Sequence, residues 1–160
     1  MLDEATRKIL LEYLSDVRSL PNEAAKRTRF GSLLSALFPG AERRIKFASG
    51  VERVVRIDTG EGKKVGRIDA YFGNAVIEFE NSLKATGDEA ERQLKEYTSG
   101  LWNKEGRDRP LICIASDGLV WRTYRPRLKS GAGRSARPGD VELERLRDLV
   151  VTPDGLRDFW

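Results

Sequence analysis

The sequence predicts an α/β domain built on a mixed sheet with helices against it. Three observations predict this. Two segments of helical spacing open the chain. The apolar period then shortens to two over residues 51–80. A long helical stretch follows, and after it comes an unbroken apolar run at residues 110–116. The element order is α-α-β-β-β-α-β-β, with antiparallel strands before the long helix and a buried strand after it.

The elements follow in turn. Residues 3–19 read as a helix, with Ile9, Leu10, Leu14 and Val17 on one stripe and Asp3 and Glu4 at the positive end of its dipole. Pro21 ends it. A second helix spans residues 22–38, with Asn22 as N-cap, Phe30, Leu33, Leu34 and Leu37 as its stripe, and Pro39-Gly40 as its stop. Strands are expected at 51–58, 65–72 and 75–80, with Gly73-Asn74 as a two-residue hairpin turn. Residues 84–102 form a helix with Ala90, Leu94, Tyr97 and Leu101 on one face. Residues 110–116 are a fully buried strand and 119–124 a further one, joined at Asp117-Gly118. Residues 125–139, rich in Arg, Lys, Gly and Pro, read as a mobile basic loop, and 141–150 as a short helix or a strand. The domain is expected to occupy residues 1–150. Residues 151–160 then begin a linker or a following domain, because terminal Phe159-Trp160 suggests a piece of a longer protein.

Composition narrows the chemistry. The chain has 160 residues, 39% of them hydrophobic and 34% charged, which suits a water-soluble domain with a real core. It has one cysteine and no histidine, which excludes an internal disulfide, a thiolate zinc site and any histidine-based triad, base or zinc ligand. Cys113, inside the run Leu111–Ala115, reads as a small core residue. Chemistry must therefore run on carboxylates, lysines, tyrosines or a hard metal. The N-terminus lacks the apolar core of a signal peptide and no stretch is long enough to span a membrane, so a cytoplasmic location is expected. A net charge of +4 and a pI near 9.3 permit a polyanionic partner without requiring one.

The hairpin 65–80 is the informative segment. A turn at 73–74 opposes Phe72 to Ala75 and, counting back, Asp69 to Glu78 and Arg67 to Glu80. Alternation puts these four on one face, with Ile68, Ala70, Phe72, Ala75, Ile77 and Phe79 on the other. Carboxylates opposed across strands have Cβ atoms ~5 Å apart and repel unless a cation lies between them. A divalent ion is one answer, since Mg²⁺ takes one or two carboxylates, waters and phosphate oxygens. Solvation, or neutralisation by Lys63, Lys64 or Arg67, is the other.

Gly66-Arg67-Ile68-Asp69 followed by Ala75-Val76-Ile77-Glu78-Phe79-Glu80 resembles the core motif of the PD-(D/E)XK nuclease superfamily. Gln93-Leu94-Lys95-Glu96-Tyr97 resembles the Q-x-x-x-Y motif of the branch holding bacterial recombination nucleases and Type I restriction subunits. Asn22-Glu23-Ala24 resembles that group's early helical Glu. The resemblance covers residues 22–124. It implies a three-layer restriction-endonuclease-like fold and a Mg²⁺- (or Mn²⁺-) dependent DNA endonuclease module of a restriction or related defence system. Asp69 and Glu78 would hold the metal, helped by the Phe79 carbonyl and by Glu23, with Gln93 and Tyr97 positioning the phosphate or a water. Glu80 stands where the family usually has Lys. Either Glu80 or Lys84, one helical turn onward, would act on the water; alternatively Glu80 only pairs with Arg67, and Tyr97 only packs. DNA phosphates would be gripped by Arg53, Arg56, Lys63, Lys64, Arg67, Arg125, Arg127 and Lys129, with sequence recognition left to further domains or subunits. Two other functions fit the same residues. One is a catalytically inactive nuclease-fold scaffold for nucleic acid or protein. The other is an interaction domain docking through Trp102, Phe159 and Trp160.

Overall fold

The computed structural model describes residues 2–39, 46–47 and 53–158. Helices α1 (Glu4–Ser19) and α2 (Glu23–Leu37) come first. Asp3 caps α1 by accepting from the Thr6 amide at 2.8 Å, and Asn22 caps α2 by accepting from Ala25 at 2.9 Å. The strands are β1 (Lys46–Phe47), β2 (Arg53–Asp58), β3 (Lys63–Ile68), β4 (Ala70–Phe72), β5 (Ala75–Phe79), β6 (Ile112–Ser116), β7 (Val120–Leu128), β8 (Val141–Thr152) and β9 (Gly155–Asp158). Helix α3 (Leu83–Glu105) lies between β5 and β6. Seven strands form one mixed sheet in the order β1-β4-β5-β6-β7-β8-β9, and β2 pairs with β3 in a separate two-stranded sheet. Among the described strands only β5 and β6 run parallel, because α3 carries the chain back over the sheet between them.

Both sheet faces are covered. Leu83, Ala90, Leu94, Tyr97, Leu101 and Trp102 of α3 bury against Tyr71, Val76, Cys113 and Tyr124 of the large sheet and Val55 and Ile57 of β2. Leu10, Tyr13, Leu14 and Val17 of α1 and Leu33 of α2 bury against Ala70, Ile77, Phe79 and Trp121 from the opposite side. The β2–β3 hairpin lies close on α3 because Gly100 has no side chain; a Cβ there would stand 2.9 Å from the Arg56 carbonyl oxygen. Cys113 is fully buried with its sulfur 3.2 Å from the Thr98 hydroxyl, and burial pushes its thiol up to about 12. No described helix is long and apolar enough to cross a membrane.

Several expectations need correction. The strand expected over 65–72 is two strands, broken at Asp69. The register holds where β4 pairs with β5, with Phe72 opposite Ala75 and Ala70 opposite Ile77. Below Asp69 the chain leaves for β2, so Arg67 lies opposite Val54 rather than Glu80. Alternation placed Ala70, Ile77 and Phe79 together on one buried face, but the acids' face is buried as well and Ile68 packs on it. Tyr71 and Val76 are buried on the side assigned to the acids, while Phe72, at the hairpin tip, is 44% exposed. Residues 125–128, read as part of a basic loop, complete β7. Pro126 is tolerated because β6 pairs with β7 only as far as Tyr124, which leaves one edge of that stretch without a β6 partner. The loop beyond is tied to α3, since Asn103 accepts from the Ala136 amide at 2.7 Å and donates to its carbonyl at 2.8 Å. Residues 141–152 are a strand, and 151–158, read as a linker, finish β8 and return as β9. Trp102, offered as a docking aromatic, is buried and donates to the Arg109 carbonyl at 3.3 Å. Phe159 and Trp160 lie outside the described residues.

Candidate active site

The break at Asp69 builds the site. Asp69 Oδ2 accepts the Phe79 amide at 3.0 Å, so a side-chain oxygen stands where a backbone carbonyl would continue the β4–β5 ladder. This fixes the carboxylate at the C-terminal end of β5. Its other oxygen, Oδ1, accepts from the Arg27 guanidinium of α2 in a short charge-assisted bond.

Glu78 and Glu80 lie on the same strand end. Glu78 is 5% exposed, and its Oε2 is buried with no hydrogen-bond partner. Burial pushes its pKa up to about 9, and the charges of Asp69, Glu80 and Glu23 push it the same way, against the nearby Tyr97 hydroxyl, which pulls it down. Glu80 is 4% exposed and accepts from the Thr86 hydroxyl at 2.6 Å, where α3 kinks (φ −123°, ψ 17°). Its pKa is raised, by burial first; Glu23, Glu89 and Asp69 add to the rise, and the Thr86 bond opposes it. Arg67 is not the cross-strand neighbour of Glu80 that was expected, because β3 carries it into the other sheet opposite Val54. Glu23, the first residue of α2, is thus close enough to both glutamates to be felt by them.

Helix α3 contributes the Gln93–Tyr97 pair. The Tyr97 hydroxyl donates to Gln93 Oε1 at 3.0 Å, and the Gln93 amide reaches Glu89 at 3.4 Å. The Tyr97 ring packs in the core, yet its hydroxyl pKa is raised by burial and then by Glu78 and Asp69, so the polar end faces the acids. The ring fits because residue 66 is glycine; a Cβ there would stand 3.0 Å from Tyr97 Cε1. Packing and site roles therefore coexist in one side chain.

The donor set suits a hard divalent cation. It is all oxygen, it is crowded with negative charge, and it includes one shielded carboxylate oxygen that no donor satisfies. As these side chains stand, no three His, Cys, Asp or Glu among the described residues are grouped to hold an ion. Arg27 holds the Asp69 oxygen that the Phe79 amide leaves free. Phe79 contributes its amide to Asp69.

The other predicted residues spread out. Lys84 is exposed on the first turn of α3. Lys64 is held by Glu96 at 2.6 Å, and Arg127 is paired with Glu144 at 2.7 Å with Arg125 at 3.9 Å from it. Arg56, Lys63, Arg67 and Lys129 are exposed, and the side chain of Arg53 lies outside the described residues. Sequence reasoning missed Arg27, Lys26 and Thr86. Lys26 donates to the Asn81 carbonyl at 2.5 Å, beside Glu80. A signal for Arg27 was present, since it lies one turn after Glu23 and one turn before Phe30 and so shares their face. Comparisons with protein-family models, with curated proteins and with solved structures found no match.

Proposed function

We propose that this chain is a Mg²⁺- or Mn²⁺-dependent deoxyribonuclease domain of the PD-(D/E)XK type, with a restriction-endonuclease-like fold. It would serve as the endonuclease module of a cytoplasmic restriction or related defence system. One observation carries the reading: the unsatisfied, buried Glu78 Oε2 stands beside Asp69, whose carboxylate is fixed by the Phe79 amide.

In this reading Asp69, Glu78 and Glu23 would hold the ion. The bound ion would lower the pKa of a water and neutralise charge building on the phosphate. Glu80 takes the water's proton; a carboxylate whose pKa is raised is a better acceptor than an ordinary one. Thr86 holds Glu80 Oε2, which leaves Oε1 for that task. Tyr97, held by Gln93, lies against the Glu78 carboxyl and would position it. Arg56, Lys63, Arg67 and Lys129 meet DNA phosphates without reading bases, so sequence choice falls to further domains or subunits.

The test is plasmid cleavage by the 160-residue chain with Mg²⁺ or Mn²⁺, abolished by EDTA. The Arg27–Asp69 ion pair favours a second reading, a nuclease fold turned scaffold, in which the guanidinium permanently replaces the metal. Salt-sensitive DNA binding without metal-dependent cleavage would select it.

A further inference from the structure

The Asp69 oxygens are divided between two donors. Oδ2 belongs to the Phe79 amide, and Oδ1 to Arg27. The side chains of Arg27 and Asp69 are 21% and 19% exposed, so water screens the pair only in part. Oδ1 is the Asp69 oxygen without a backbone donor, and a divalent ion held there would meet the Arg27 charge at a range where two cations repel strongly. Arg27 is also an incomplete substitute. It satisfies Asp69 but leaves Glu78 Oε2 without a partner, among Glu80 and Glu23. The guanidinium is on a long side chain with part of its surface in solvent, so it has a way out. Its neighbour Lys26 keeps α2 attached at the Asn81 carbonyl.

We propose that Arg27 is a resident counter-cation that competes with the divalent ion for Asp69 Oδ1, so that metal loading requires the guanidinium to swing away while α2 stays in place. This rests on the metal-dependent reading above. The two cations exclude each other, and the metal affinity of the free domain is set by Arg27 as much as by the acids.

Calorimetric titration of the whole chain with Mn²⁺ alone tests this, on wild type and Arg27→Gln, with folding checked by circular dichroism. Arg27→Gln should bind Mn²⁺ at least about fivefold more tightly, the lower end of ordinary coupling between competing ligands. Equal or weaker binding by Arg27→Gln, with wild type binding, would overturn the inference and leave the metal reading standing. No binding by either protein would overturn the metal reading itself. Should Arg27→Gln fail to fold, the wild type decides through the Arg27 Nε–H resonance, assigned by its loss in Arg27→Lys. Saturating Mg²⁺ should shift it, and an unmoved signal would overturn the inference.

Discussion

The Phe79 amide donates to Asp69 Oδ2 at 3.0 Å, joining β5 to the residue at which the neighbouring strand breaks. Strand geometry and carboxylate orientation are thereby one feature. Asp69→Asn keeps an acceptor for Phe79 and removes the charge. It should cost roughly 1–3 kcal/mol, because Arg27 loses its anion in a partly buried place. It should also abolish the Mn²⁺ heat signal and the rise in melting temperature with Mg²⁺ that binding to the folded state produces. Equal Mn²⁺ binding by wild type and Asp69→Asn would remove Asp69 from the metal site.

Glu78 gives the metal-free protein a pH dependence of defined sign. In the folded chain its carboxyl keeps a proton up to about 9, against 4.5 for an ordinary glutamate. The folded state therefore binds the extra proton between those values. Its contribution to stability is complete below the lower value and is lost as pH rises through the upper one. Melting temperature in EDTA should fall across that window in the wild type, and should fall less in Glu78→Gln. Parallel curves for the two proteins would show that Glu78 titrates normally.

Gly66 and Gly62 form a matched pair for testing the support under Tyr97. A Cβ at Gly66 would stand 2.7 Å from Ile57 Cδ1 and 3.0 Å from Tyr97 Cε1, whereas a Cβ at Gly62 meets nothing within 4 Å. Gly66→Ala should lose about 1–3 kcal/mol by overpacking and displace the tyrosine. Gly62→Ala should be neutral or gain about 0.5 kcal/mol from a stiffer unfolded chain. Denaturant midpoints decide, and similar effects at the two positions would show that the Tyr97 ring is not held against β3.

Tyr97→Phe keeps the ring and removes only the hydroxyl that reaches Gln93 and Glu78. It should cost about 1 kcal/mol and raise the Glu78 pKa further, since the one effect lowering it disappears. Carbon-13 titration of the Glu78 carboxyl reads this directly. Gln93→Ala, at the rim, should cost less than about 0.5 kcal/mol yet slow cleavage in an active domain. Unchanged cleavage in both variants would make the helix motif purely structural.

Local patterns in the sequence carried much of this arrangement. The Asn22 cap, the α3 stripe and the β4–β5 register all follow from residues within a few positions of each other. The exchange of partners at Asp69 did not, because alternation runs unbroken through Ile68 and Ala70 and cannot show that β3 and β4 pair with different strands. Residues 125–128 misled for the opposite reason: Pro126 and the nearby glycines imitate a loop, while the pairing with β8 is long-range. Arg27 was hidden by its charge. A basic residue on an amphipathic helix normally faces water, and only the assembled site gives it an anion to meet.

Cys113 gives the molecule a chemical clock. Its thiol is sealed beneath α3, bonded to Thr98, on the strand that runs parallel to β5. A thiol-modifying reagent can reach it only after that layer opens, so the labelling rate counts openings of the strand beside the acids. One cysteine gives one rate, free of interference from any other. Each substitution at the site can then be sorted into those that loosen the scaffold and those that leave it shut.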